Sequence, residues 1–172
     1  MFLWFAGAAF VLVWLFFQDA ALDYRLVMVG ALLPDLLDAP FGGARVVHSL
    51  LFSVVLLAVT MIVTHGHRRV RRRLLAVPIG TFVHLILDGM WARTQVFWWP
   101  LFGASFGPGG IPSLGRPLLV LVCEEVLGAV ALGWCWRRFR LAEPDRRRVF
   151  LHTGHLGRDI APPGGGRLPK GG

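Results

Sequence analysis

The sequence predicts an all-α, polytopic membrane protein of about five transmembrane helices with a re-entrant or interfacial aromatic loop, and three observations carry that expectation. Of its 172 residues, 55% are hydrophobic and 16% charged, against about 45 to 50% and 25% in soluble domains, and the mean hydropathy is +0.61. The apolar residues gather into long runs separated by short polar breaks. The basic residues, 17 arginines and Lys170, lie mostly in two blocks beside those runs. That layout belongs to membrane topology and not to a face that reads nucleic acid, so no nucleic-acid partner is expected despite a net charge of +8.

Met1 to Phe17 is almost uninterrupted apolar sequence, near the length of a span if it continues through Ala21. With no basic segment ahead of it and no small-x-small site before Asp19, it reads as a retained first helix and not as a cleaved signal peptide. A polar break at Gln18 to Arg25 leads to Leu26–Leu37, with Ala20 to Arg25 supplying the first turns. Pro34 interrupts this second segment, and Asp35 and Asp38 follow at i and i+3 spacing. Proline frees backbone carbonyls, which membranes tolerate only where the backbone is buried in protein or lines a wet cavity. The second helix therefore ends in such a cavity, or at an interface where both carboxylates are solvated.

The Phe41-Gly42-Gly43 turn and Arg45 lead into a third span, Val46–Thr64, which opens with His48 and Ser49. His65, His67 and the five arginines of Arg68–Arg73 follow as a short basic loop, placed in the cytoplasm by the positive-inside rule. The fourth span, Leu74 to about Trp91, carries His84 and Asp88. Residues i and i+4 share a helix face, and an ionisable side chain deep in an apolar span costs roughly 2.5 to 3.5 kcal/mol, so the pair asks for a partner, a metal or a function. Trp98, Trp99 and Pro100 then form either an interfacial aromatic belt or a lid over the cavity, ahead of a Gly/Pro-rich loop to Pro117.

The last span, Leu118–Trp136, contains Glu124 and Glu125, which point about 100° apart, so that one of them at most faces a common site. Cys123 and Cys135 lie roughly 18 Å apart along this helix and cannot pair. Residues 1–141 form the transmembrane domain, and residues 142–172, rich in Arg, Gly and Pro, read as a disordered cytoplasmic tail attracted to anionic lipid. Placing both basic blocks inside leaves 15 basic residues on the cytoplasmic side against Arg45, Arg93 and Arg116 outside. This orients the five spans N-out and C-in.

In that topology Asp35, Asp38, His48, His84 and Asp88 fall at one depth toward the outer face, and Glu124 or Glu125 can reach the same level. Two histidines with carboxylates form a mixed N/O set suited to a divalent first-row metal, zinc first and manganese as another candidate. A catalytic metal keeps a position open for water and lowers its pKa to about 7, while a carboxylate such as Asp88 or Asp38 serves as general base. His84 and Asp88 are alternatively ligand and orienting partner.

The motifs Gly30 to Asp38 (GALLPDLLD), His48-Ser49-Leu50, His84-x-x-x-Asp88 and Trp99-Pro100, in that order over roughly residues 25 to 105, resemble the YdjM-like family of bacterial inner-membrane proteins, described as membrane-bound metal-dependent hydrolases. The resemblance implies that Asp35, Asp38, His48, His84 and Asp88 are metal and catalytic residues, and that the chain lies in the bacterial cytoplasmic membrane. Family members commonly carry a further histidine in the first helix. This chain has none before His48, and Glu124 or Glu125 is the replacement it offers. A site at membrane depth, among membrane lipids, suits a lipid-linked ester or phosphoester substrate. The main rival is a non-catalytic module whose polar cluster packs helices or binds a partner. A metal-free serine hydrolase built on Ser49, His84 and Asp88 is weaker, since no nucleophile elbow surrounds Ser49. A transporter is weaker still, since the spans show no internal repeat.

Overall fold

The computed structural model describes residues 1–41, 44–103 and 115–157, and every regular element among them is helical. The fold is all-α, as expected. Helix α1 is Phe2–Phe17, apolar on all sides, and stops where Gln18 turns into the left-handed region at φ 47°. Helix α2 is Tyr24–Asp38, capped by the Asp23 carboxylate, which accepts from the N–H groups of Arg25 and Leu26. Pro34 stays inside α2, deprived of an N–H for the Gly30 carbonyl. After a turn at Ala39–Phe41, the Gly42-Gly43 step lies outside the described residues.

The expected third span starts later than its apolar run. Val46–His48 form a 3-10 turn, and helix α3, Leu50–Val63, begins at Ser49, whose side chain accepts from the Phe52 N–H. The basic loop is itself helical as α4, Arg68–Leu74, in keeping with the high helix propensity of arginine. Helix α5, Ala76–Leu87, follows after a break at Leu75, where Pro78 has no N–H to offer the preceding turn. It ends at Asp88, with Gly89 at φ 67° as the left-handed stop. A turn at Met90–Ala92 and the short α6, Thr94–Phe97, lead to the aromatic segment. Most of the Gly/Pro-rich loop before Pro117 lies outside the described residues.

Helix α7, Leu118–Arg138, has 21 residues and is the one described helix long and apolar enough to cross a membrane; α1 and α3 are apolar but shorter. The stretch expected to be structureless from residue 142 is instead ordered as far as Gly157, with helix α8 at Pro144–Thr153. Pro144 at its first turn and Gly154 at φ 73° behind it are the ordinary start and stop of a helix. Its Phe150 joins an aromatic core in which Phe10 stacks on Tyr24 at 4.7 Å and on Phe139 at 5.5 Å. The remainder of the expected tail, residues 158–172, lies outside the described residues.

The helices pack in the spatial order α7, α1, α2, α5, α3. Glycines set the two closest contacts. Gly7 of α1 meets Gly128 of α7 backbone to backbone, and Gly30 of α2 meets the Val77 carbonyl of α5. From the other side, a Cβ at Gly80 of α5 would fall 2.8 Å from the Ala31 nitrogen and closer still to the Val27 carbonyl oxygen. With no Cβ at these positions, the paired helices approach until their backbones are in direct contact.

At the arginine-rich end the acids between α1 and α2 tie the bundle down. Asp23 is fully buried and pairs with Arg25 and with Arg73 of α4, each at 3.0 Å. Arg25 in turn donates to the Leu151 and His152 carbonyls at the C-terminus of α8, where a cation complements the helix dipole. Asp19 pairs with Arg72 at 2.6 Å. Burial raises the Asp19 carboxyl, but the Arg72 hydrogen bond, the Ala21 N–H and the Arg72 charge outweigh it and hold it below its ordinary value of 3.8.

Two outcomes follow for stability. Gly80→Ala should cost about 1 to 3 kcal/mol in thermal unfolding of the purified chain, because neither backbone can retreat, whereas Gly133→Ala, with open space around it, should stay within about 0.5 kcal/mol. Because the folded Asp19 value is depressed, its pairing with Arg72 contributes stability above pH 3.8 that is lost as pH falls through the lower folded value. Acid unfolding of Arg72→Gln should lack that component, and an unchanged acid limb would refute the pairing.

Candidate metal centre

Asp35 and His84 come together because α2 and α5 touch along the Gly30–Gly80 contact, one turn short of each residue. The Ala31 carbonyl accepts from His84 Nδ1 at 2.7 Å. A carbonyl only accepts, so Nδ1 carries the proton, and Nε2 presents a lone pair toward Asp35 Oδ1 at 3.6 Å. His84 is fully buried, with the Phe5 ring of α1 at 4.1 Å.

His48 reaches the same point from the turn before α3. Its Nδ1 donates to Asp38 Oδ2 at 2.6 Å, and that oxygen also accepts from the Arg45 backbone N–H at 2.7 Å. Its Nε2 lies 3.3 Å from Asp35 Oδ1, and the two imidazole rings stand 5.3 Å apart. Both histidines thus turn Nε2 toward one carboxylate oxygen while a second acceptor holds each Nδ1–H, the arrangement that fixes ligating histidines in metal sites.

One ligand atom each from Asp35, His48 and His84 lies within 4.8 Å of the other two, a group that could hold a metal ion. The donor set fits. A lone pair facing a carboxylate is repulsive unless a cation or proton lies between them, and His84 Nε2 is buried with no hydrogen-bond partner. An imidazolium at His48 would satisfy Asp35 and Asp38 but leave His84 Nε2 orphaned.

Among the residues expected at the site, Asp38 stands behind His48 as its orienting carboxylate and is not in the three-residue group. Asp88 is turned to Arg116, whose Nη2 lies 2.9 Å from Asp88 Oδ1 and 3.3 Å from the Asp88 carbonyl. Arg116 also pairs with Glu124. Its guanidinium therefore ties α5 to α7 through two expected site carboxylates, each keeping one buried oxygen without a hydrogen-bond partner. Glu125 points elsewhere and accepts from the Leu3 N–H at the start of α1. Only one of the adjacent glutamates faces the polar end of α5, as their 100° separation requires.

Ser49 donates to the Val46 carbonyl at 2.6 Å while capping α3, an N-cap role that gives a serine nucleophile no support. In the aromatic segment, Val96 and Phe97 pack on Ala44, Leu85 and Met90, and α6 touches the turn that carries His48. Trp98 is exposed, with its ring 5.2 Å from that of Phe97, and Pro100 follows Trp99 in the turn.

Sequence reasoning missed Arg116, the Ala31 carbonyl and Phe5. A signal for the first was present, since Arg116 is the one charged residue of the Gly/Pro-rich stretch directly before an apolar segment with two glutamates; the other two carry none. No family model, curated protein or solved structure matches this chain.

The geometry gives Asp38 the role of holding His48. Asp38→Asn, which keeps an acceptor but loses the charge, should weaken zinc binding about 10- to 100-fold with the helical circular dichroism unchanged. Equal affinity by competition titration would remove Asp38 from the site.

Proposed function

We propose that this chain is a multi-pass membrane protein of about five spans and a metal-dependent hydrolase, whose outward-facing site acts on an ester or phosphoester of a lipid-linked substrate. The observation that carries the metal reading is the convergence of two Nδ1-anchored imidazoles, through Nε2, on the single Asp35 oxygen.

Surface composition supports the membrane reading. Val54, Val55, Leu57, Val59, Ile62 and Val63 on α3 are exposed, and so is most of the apolar surface of α7. Such patches are larger than water-soluble monomers carry. The five spans are α1, α2, α3, α5 with α4 before it, and α7. The shorter ones are accommodated by local thinning of the bilayer or by flanking residues that reach the interface. The arginine asymmetry, with Asp23 gathering the basic end, supports N-out and C-in.

Asp35, His48 and His84 would hold the ion, zinc first by donor type, in the manner of a three-ligand site that leaves a position for substrate or water. When bound, it would supply Lewis-acid polarisation and activate water. Asp38 and the Ala31 carbonyl keep the two rings turned inward. Asp88, one turn beyond His84 and anchored by Arg116 on one oxygen, keeps its other oxygen to accept a proton. The motif order resembling the YdjM-like family supports the same reading, with Glu124 held by Arg116 and not standing in for the missing histidine.

The Asp88–Arg116–Glu124 connection favours a second reading for the polar end of α7, that of a non-catalytic clamp between helices. Elemental analysis separates the two. The hydrolase reading predicts about one equivalent of zinc or another first-row metal per wild-type chain, lost in His84→Ala and Asp35→Ala but retained in Glu124→Gln. Wild-type protein that stays metal-free after reconstitution, with both alanine variants folded, would leave only the clamp.

A further inference from the structure

The end of the molecule opposite the metal centre carries more positive charge than its acids neutralise. Asp19 is committed to Arg72, Asp23 to Arg25 and Arg73, and Glu143 to Arg146, while Asp145 sits in the first turn of α8. Exposed Arg68 and Arg69 and half-buried Arg71 of α4, exposed Arg137 at the end of α7, and exposed Arg147 and Arg148 of α8 have no acidic partner among the described residues.

These arginines are held on an ordered frame. The buried Asp23 carboxylate binds Arg73 of α4 directly and α8 through Arg25. The Tyr24 N–H donates to the Gly154 carbonyl at 3.0 Å and the Leu156 N–H to the Ala20 carbonyl at 2.8 Å. Exposed apolar side chains are interleaved with the arginines, Val70 and Leu74 on α4 and Val149 and Leu151 on α8. Short helices bearing both exposed apolar residues and unpaired arginines suit the boundary between headgroups and acyl chains.

We propose that α4 and α8, locked together through Asp23, form a ledge that binds the phosphate headgroups of anionic phospholipids in the adjoining leaflet. The inference rests on the membrane reading above but not on the metal. Charge complementarity selects the occupant: guanidinium groups take phosphate oxygens in bidentate pairs, and the interleaved valines and leucines match acyl chains, which a nucleic acid or an acidic protein lacks.

The test is native mass spectrometry of the full chain in mild detergent with equal phosphatidylglycerol and phosphatidylcholine. Wild type should retain phosphatidylglycerol preferentially. The combined Arg71→Gln, Arg147→Gln and Arg148→Gln variant should lose about fivefold in retention for each arginine removed, and the matching triple lysine variant should keep most of it. Equal retention of the two lipids by wild type, a glutamine variant that still prefers phosphatidylglycerol, or preferential capture of a short oligonucleotide would overturn the ledge. Alkaline extraction of cell membranes tests the spans separately, because a chain released by it fails the membrane reading whatever lipid it retains.

Discussion

Gly30 and Gly80 let α2 and α5 approach until main chain meets main chain, and the candidate metal centre follows from that contact. His84 lies one turn beyond Gly80, and Ala31 is the neighbour of Gly30. The same approach that a Cβ would block therefore delivers the Ala31 carbonyl to His84 Nδ1 at 2.7 Å. Asp35 is one turn further along α2 and meets the other nitrogen of the ring. Packing and chemistry are thus one constraint, since widening the helix pair would remove the acceptor that sets the tautomer of His84 and the carboxylate it faces. The second histidine arrives independently, on the turn before α3, and is held by Asp38 from the end of α2.

The two ends of the molecule divide the charges between different tasks. At one end, Asp35 and the two imidazoles converge through the Asp35 oxygen and both Nε2 atoms, and the buried His84 Nε2 lone pair there suits a cation. At the other, Asp19 and Asp23 are saturated by arginines and fasten α4 and α8 to the loop between α1 and α2. Arg116 is the exception. It stands at the carboxylate-rich end and pairs with both Asp88 and Glu124, while Asp35 is the carboxylate aimed between the histidines. An arginine there keeps α7 in register with α5 across the bundle, where apolar contacts alone would let the helices slide.

Much of this was legible before any coordinates. The all-α class followed from the apolar runs, and the five residues read to one depth, Asp35, Asp38, His48, His84 and Asp88, include the three that come together, Asp35, His48 and His84. Roles within the polar set were not legible, because Asp35 and Asp38 share a helix face at i and i+3 and nothing local says which meets a lone pair and which holds a ring from behind. The capture of Asp88 by Arg116 was hidden as well, since the partner lies 28 residues away across a Gly/Pro-rich stretch. Gly30 and Gly80 were visible as small residues in apolar segments, but their pairing depends on which helices are neighbours. Composition misled at α4 and α8. A run of arginines and a polar basic tail both read as irregular, whereas arginine is a good helix former and Pro144 with Gly154 marked a helix plainly.

The measurement that bears most directly on the metal centre is X-ray absorption at the zinc edge of the purified, zinc-loaded chain. The account predicts two imidazole nitrogens at about 2.0 to 2.1 Å and carboxylate oxygen in the first coordination sphere, with one imidazole contribution lost in His84→Ala. A zinc environment without imidazole scattering, or one identical in wild type and His84→Ala, would contradict it.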